Sequence, residues 1–321
     1  MSDYAVTEGS QEGLPTRVLI ARDREIEAAF APGVGMVGCS LRHRSDELLG
    51  QRGGLAKYAD SGSSMGIPLL HPWANRLDGL RYAAAEHEVT LDPEAMPVRL
   101  DANGLPIHGL ATASPHWELE DAEAGERGAR LAARLDWSAH DELMAGFPYP
   151  HVLEVEVTLA GSTLTVETVL RAGPDGPVPV AFGYHPYLTL PGAPRGDWEL
   201  ALPLRRRARL DERGIPTGET EPFTDDREPL GERTFDDLFV ELCHPPEFLM
   251  RGGGRCLEVR FEQGYPVAQV YAPEGEDFIC FEPMTAPTNA LVTGQGLRVV
   301  EPRGTYIARF SISVFDDPAG T

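Results

Sequence analysis

Leu153 to Arg171 reads LEVEVTLAGSTLTVETVLR. Val155, Val157 and Leu159 alternate with Glu154, Glu156 and Thr158. Gly161 and Ser162 then mark a turn, and Leu164, Val166, Thr168 and Leu170 resume the same period of two. Side chains of a strand point to opposite faces in turn, so this pattern predicts a hairpin with one dry and one wet side. Short apolar runs of the same kind recur at Arg17–Ala21, Gly35–His43, Leu131–Trp137, Leu257–Phe261, Val267–Tyr271, Phe278–Phe281 and Thr305–Val314. With 34 glycines and 28 prolines there is much material for turns and little room for long helices. No repeat of fixed period and no low-complexity linker interrupts the pattern. The expected fold is therefore all-β, a large sandwich of two antiparallel sheets forming a single domain over residues 16–321. Residues 1 to about 15 are small and polar and are expected to be a disordered tail.

Composition narrows the function. A chain of 321 residues is long enough to bury a large core. Its four cysteines, Cys39, Cys243, Cys256 and Cys280, include no CxxC pair, so neither a zinc site nor a disulfide framework is expected. There is no basic region followed by an apolar run at the start, and no stretch of 18 apolar residues. These features predict a soluble, cytoplasmic protein. The formal net charge of -22 argues against nucleic acid and against anionic membrane surfaces as partners. A neutral small molecule fits that balance best; oligomeric state leaves no mark on the sequence. The run Arg205, Arg206, Arg207 and Arg209 has the chemistry to hold a phosphate, but its alternation with Leu204, Ala208 and Leu210 reads more simply as a solvated strand face.

Several stretches are unusual for plain strand or loop. AFGYHPYLTLPG (Ala181–Gly192) sets His185 between Tyr184 and Tyr187 on a proline-stiffened backbone, where an imidazole is suited to proton transfer near neutral pH. GIPLLHPWANRLDG (Gly66–Gly79) is too rich in proline for a central strand and ends in Asn75 and Arg76, donors suited to hydroxyl or carboxylate oxygens. His108 precedes Gly109, a residue that lets backbone or ligand approach closely. TFDDLFV (Thr234–Val240) carries Asp236 and Asp237, and CFEPMTAPTNAL (Cys280–Leu291) places Glu282 directly after an apolar run. Each has a plainer reading. On that reading His185 caps a strand end, Arg76 pairs with Asp78 or another surface carboxylate, and Asp236 or Asp237 caps a turn. Glu282 stands apart, because a carboxylate that follows Ile279, Cys280 and Phe281 needs an interior partner.

The order of these segments, NR, HG, the aromatic-flanked histidine of HPYLTLPG, FDDLF and FEPMTAPTNA, resembles the aldose 1-epimerase (galactose mutarotase) family from about Arg17 to Phe315. The resemblance implies a large β-sandwich of the galactose mutarotase-like supersandwich type. It implies no metal and no organic cofactor, and an isomerase that interconverts the α and β anomers of a free hexose such as glucose or galactose. Position by position, it implies His185 as general acid and Glu282 as general base, with Arg76, His108 and Asp236 on sugar oxygens. Gln269, in AQVYAP, matches a sugar-binding glutamine of the family, and Asn75 and Tyr184 are counted with the substrate-binding set. The chain departs from the family at Tyr184, which stands where asparagine or threonine is common, and in the PYLT run that follows His185. A hexose-6-phosphate 1-epimerase, a glycoside hydrolase using Asp236 and Glu282, and a non-catalytic carbohydrate-binding protein are the competing readings. A metal site built from His71, His108 and His185 is disfavoured by the absence of HxH spacing.

The chemistry follows from the reaction. Opening a hemiacetal ring removes a proton from the anomeric hydroxyl while the ring oxygen gains one, so a base and an acid act together and exchange roles on reclosure. The expected arrangement places Glu282 and His185 across a space the size of a pyranose, with Trp73, Phe182, Tyr184 or Tyr187 stacked on the sugar's apolar face.

Overall fold

The computed structural model describes residues 3–225 and 227–317. The hairpin that opens the sequence argument is formed by strands His151–Ala160 and Thr163–Ala172, paired from His151 opposite Ala172 to Ala160 opposite Thr163. Gly161, at φ 57°, supplies the positive φ that a two-residue hairpin loop requires. Leu153, Val155, Val157 and Leu159 are buried, while Glu154, Glu156 and Thr158 remain partly exposed. Each buried aliphatic side chain contributes roughly 2 kcal/mol to burial of the dry face.

Two eight-stranded antiparallel sheets make the sandwich. The first runs in the order Glu118–Ala124, Ala129–Asp136, His151–Ala160, Thr163–Ala172, Thr305–Asp316, Arg255–Gln263, Glu247–Gly252, Glu199–Ala201. The second runs Pro216–Pro222, Leu204–Leu210, Phe235–Leu242, Val267–Ala272, Ile279–Met284, Gly183–Tyr184, Leu69–Leu70, with Tyr187–Leu188 also paired to Ile279–Met284. Rings from the two sheets meet between them: Phe248 stacks on Phe281 and Tyr184 packs on Phe310, each pair 5.0 Å between centroids. The hydrophobic core they share extends from Leu19 to Val314. Among the described residues the α-helices are short, the longest being Gly54–Ser61. The arginine run lies on strand Leu204–Leu210, where Arg207 and Arg209 pair with Glu221 across the strand Pro216–Pro222.

The expected tail is not a tail. Tyr4–Gln11 pairs along its length with Leu14–Ala21, turning at Glu12 and Gly13 with φ of 51° and 82°, and opens a five-stranded sheet that continues through Ile26–Ala31, Val37–His43 and Asp46–Glu47. Polar composition hid this strand. Its few apolar side chains, Tyr4 and Val6, pack against the main core, and the Tyr4 hydroxyl accepts the backbone N–H of Gly161.

The site is prepared by the second sheet. On Ile279–Met284, Ile279 and Phe281 face the sandwich core, so the two-residue period turns Cys280, Glu282 and Met284 to the opposite face. On Val267–Ala272, Ala268, Val270 and Ala272 face the core, which turns Gln269 and Tyr271 outward. Register brings the polar members together: Gln269 is opposite Glu282, and Asp236 is opposite Tyr271.

Candidate active site

His185 reaches the same face by a different route. Gly183 is opposite Met284 and Tyr187 is opposite Cys280, so the intervening His185 falls opposite Glu282 although it belongs to no strand. Gly183 has no room for a side chain there, since a Cβ would lie 2.6 Å from the Pro283 carbonyl oxygen. The result is a direct contact: His185 Nε2 is 3.3 Å from Glu282 Oε1 and 3.3 Å from the Tyr187 hydroxyl. The Tyr187 ring stacks on the imidazole at 4.3 Å with 5° between planes, and Tyr271 meets its edge.

These groups open into a cavity of about 280 Å³, small among ligand clefts. Seven of the eight residues singled out from the sequence line it: His185, Glu282, Arg76, His108, Asp236, Gln269 and Asn75. Arg76 donates to Asp101 at 2.7 Å and to Asn75 Oδ1 at 3.1 Å, and its guanidinium comes within 4.0 Å of Asp236. Its partner is thus Asp101; Asp78 pairs with Arg213 instead. Gln269 Nε2 donates to Asp236 Oδ1 at 2.7 Å. His108 stands at φ 66° with its N–H on the Asn75 carbonyl, and its ring meets that of His185 edge-on at 5.5 Å. The next residue must be glycine: a Cβ on Gly109, at φ 73°, would lie 2.1 Å from the His71 carbonyl oxygen.

Tyr184 is corrected by the structure. One position before His185, it points to the sandwich core, where its hydroxyl bonds Thr168 at 2.7 Å and its ring packs on Phe310. Trp73 and Phe182 are also buried in that core, which leaves Tyr187, with Tyr271, as the aromatic lining. His71 lies apart from His108 and His185, its Nε2 2.9 Å from that of His151 beside Trp137 and Phe147. The expected gap across which the acid and base would face each other is absent as well. At 3.3 Å the pair forms one wall of the cavity, an arrangement compatible with the reaction because the anomeric hydroxyl and the ring oxygen are carried by the same carbon. Sequence reasoning missed Arg52, Arg99 and Asp101, which also line the cavity; they lie in loops and in a two-residue strand with no periodic pattern to mark them.

Burial dominates the electrostatics. It pushes Glu282 well above the usual carboxylate range, with Asp236 adding to the rise and Arg76 opposing it. It pushes His185 well below the usual imidazole range, helped by His108 and Arg52. Both partners are therefore driven toward their neutral forms, and the pair holds a single proton. His108 is lowered to about 3 by burial and then by Arg99, Arg76 and Arg52, so it is a neutral hydrogen-bonding group. Among the described residues, Glu282 Oε2, Gln269 Oε1, His185 Nδ1 and His108 Nδ1 have no hydrogen-bond partner. Buried polar atoms are seldom left so, and a polar ligand in the cavity would be in place to satisfy them.

The sequence pattern of the aldose 1-epimerase family matches residues 39–313. The chain belongs to the aldose 1-epimerase family. Membership makes it an isomerase, a sugar epimerase of the mutarotase type. No curated protein sequence gives a significant match. Among solved structures, a galactose mutarotase-like protein from Clostridium acetobutylicum superposes with a TM-score of 0.85 at 16% identity, covering 98% of this chain and 99% of that one. A protein from Synechocystis sp. PCC 6803 gives 0.78 at 23% identity, covering 96% and 98%. A galactose 1-epimerase from Lactobacillus acidophilus gives 0.76 at 14% identity, covering 99% and 100%. At these identities the structures speak for the fold, a galactose mutarotase-like antiparallel sandwich.

Proposed function

We propose that this protein interconverts the α and β anomers of an aldohexose, with His185 and Glu282 moving the protons. The observation that carries the reading is the 3.3 Å contact between these two side chains at the wall of a polar cavity. Burying two ionisable groups is costly, and a module that only held a sugar would have no use for it.

In the productive form of the bound pair the proton sits on His185. Glu282 takes the proton of the anomeric hydroxyl while His185 delivers its own to the ring oxygen; the bond between the anomeric carbon and the ring oxygen breaks, and an open-chain aldehyde forms. The pair is then carboxylic acid and neutral imidazole, the state that burial favours. After rotation about the bond between C1 and C2, Glu282 returns its proton to the aldehyde oxygen as His185 takes one from the attacking hydroxyl, and the ring closes with either configuration. No proton is exchanged with solvent over a cycle. Each group acting as acid or base contributes about 10² to 10⁴ in rate.

Arg76, His108, Asn75, Asp236 and Gln269 hold the hydroxyls in this reading, and Tyr187 or Tyr271 meets the apolar face of the ring. The protein works in the cytoplasm in this reading. Its test is polarimetry on pure α-anomers of glucose and galactose. Decay faster than in buffer supports the reading, and decay at the spontaneous rate across a panel of free and phosphorylated aldoses rejects it.

A further inference from the structure

The three arginines of the cavity are not equivalent. Arg76 is committed to Asp101 and approaches Asp236. Arg52 and Arg99 donate to uncharged oxygens: Arg52 to the Ser64 carbonyl at 3.2 Å and the Tyr187 hydroxyl at 3.1 Å, and Arg99 to the Gly62 carbonyl. Among the described residues, neither has a carboxylate within ion-pair distance, in a chain with 50 acidic residues and 28 lysines and arginines. Carboxylates are abundant on this surface, and this cavity keeps two guanidinium groups free of them.

Two further observations locate the charge. His108, on the cavity wall with all three arginines, is depressed by each of them beyond the effect of burial, so Arg52 and Arg99 as well as Arg76 act on groups inside the cavity. The Tyr187 hydroxyl touches both His185 Nε2 and Arg52 Nη1. Arg52 therefore stands one hydroxyl away from the nitrogen that serves the ring oxygen. In a pyranose the exocyclic carbon C6 is bonded to the carbon that carries that oxygen, so a C6 substituent would extend toward Arg52.

We propose that Arg52 and Arg99 form an anion subsite and that the substrate is an aldose bearing an anionic group on C6, a hexose 6-phosphate or a hexuronate. The proposal rests on the epimerase reading for the position of the sugar ring. It replaces the expectation, drawn from the net charge, of a neutral substrate. Planar guanidinium forks match the oxygens of phosphate and carboxylate alike, so the two sources are separated by experiment.

Anomer exchange is measured by saturation-transfer NMR with glucose, glucose 6-phosphate and glucuronate, for the wild type and for Arg52→Gln, Arg99→Gln and the double variant. The wild type is expected to favour at least one anionic sugar over glucose by about tenfold or more in kcat/KM, the scale of one charge-assisted hydrogen bond. That ratio is expected to collapse toward one in the double variant. Preference for the phosphate or for the uronate alone names the anion. Equal kcat/KM for all three sugars, or a preference that both substitutions leave intact, overturns the subsite while the epimerase reading stands. If none of the three exchanges faster than in buffer, the epimerase reading has failed separately. Calorimetry with glucose 6-phosphate and glucuronate then decides the subsite: binding that the double variant loses supports it, and no binding by the wild type overturns it.

Discussion

His185 Nε2 and Glu282 Oε1 lie 3.3 Å apart, and the two residues are only 5% and 2% exposed. Water cannot stabilise either charge there, so the pair is one acid-base unit with one proton. The two arrangements of that proton correspond to the cyclic and open forms of a bound sugar. Strand pairing sets the contact, since the flanking partners of Ile279–Met284 fix His185 opposite Glu282.

His185→Asn keeps a polar side chain and removes the proton carrier. We expect kcat to fall about 10² to 10⁴-fold with KM little changed, read from progress curves at several sugar concentrations. A rise in KM with unaltered kcat would place His185 among the binding groups.

Arg76→Ala acts on the other quantity. Losing its donors to the sugar and its bond to Asp101 should raise KM by about tenfold or more, with a smaller effect on kcat. Asp101 is also held by the backbone N–H groups of Asn103 and Leu105, so its loop stays in place and the variant should fold.

The pH profile follows from the directions of the two shifts. A second proton on the pair must charge His185, which burial holds below 6.5, so the acid limb of kcat/KM lies below that value. Loss of the single proton must charge Glu282, which burial holds above 4.5, so the alkaline limb lies above that value. The expected profile is a single plateau between these two limbs. An acid limb above 6.5 or an alkaline limb below 4.5 would contradict the shared proton.

Stability should fall in acid. His151 is lowered to about 4 by burial, and His71, its partner in the core, is lowered well below 6.5. Between about 6.5 and 4 the unfolded chain binds protons that the folded chain refuses, so stability is full above 6.5 and declines as pH drops through that window. His151 alone accounts for roughly 3 kcal/mol. Urea midpoints from pH 7 to 4 measure the decline; a midpoint constant over that range would contradict the buried, neutral pair.

How much of this was legible in the sequence depends on the kind of signal. The strands His151–Ala160 and Thr163–Ala172 were plain because each has one dry face, and period two records that directly. Tyr4–Gln11 was not, because it leans on the core with only Tyr4 and Val6. Within the site, Glu282 betrayed itself as a carboxylate ending an apolar run. Tyr184 departs from its expected place because neighbours on extended backbone face opposite ways, so the residue before His185 is turned to the core. Arg52 and Arg99 carried no signal, since only the folded chain reveals which arginines lack a carboxylate.

Glu282→Gln tests the central claim most directly, because it preserves shape and hydrogen bonding while removing the carboxyl group in contact with His185. Saturation transfer between the anomeric proton signals of whichever aldose the wild type turns over gives the exchange rate at equilibrium. The expected result is strong transfer with wild type and, with folded Glu282→Gln, transfer at the rate of sugar in buffer. Wild-type exchange in Glu282→Gln would contradict the account.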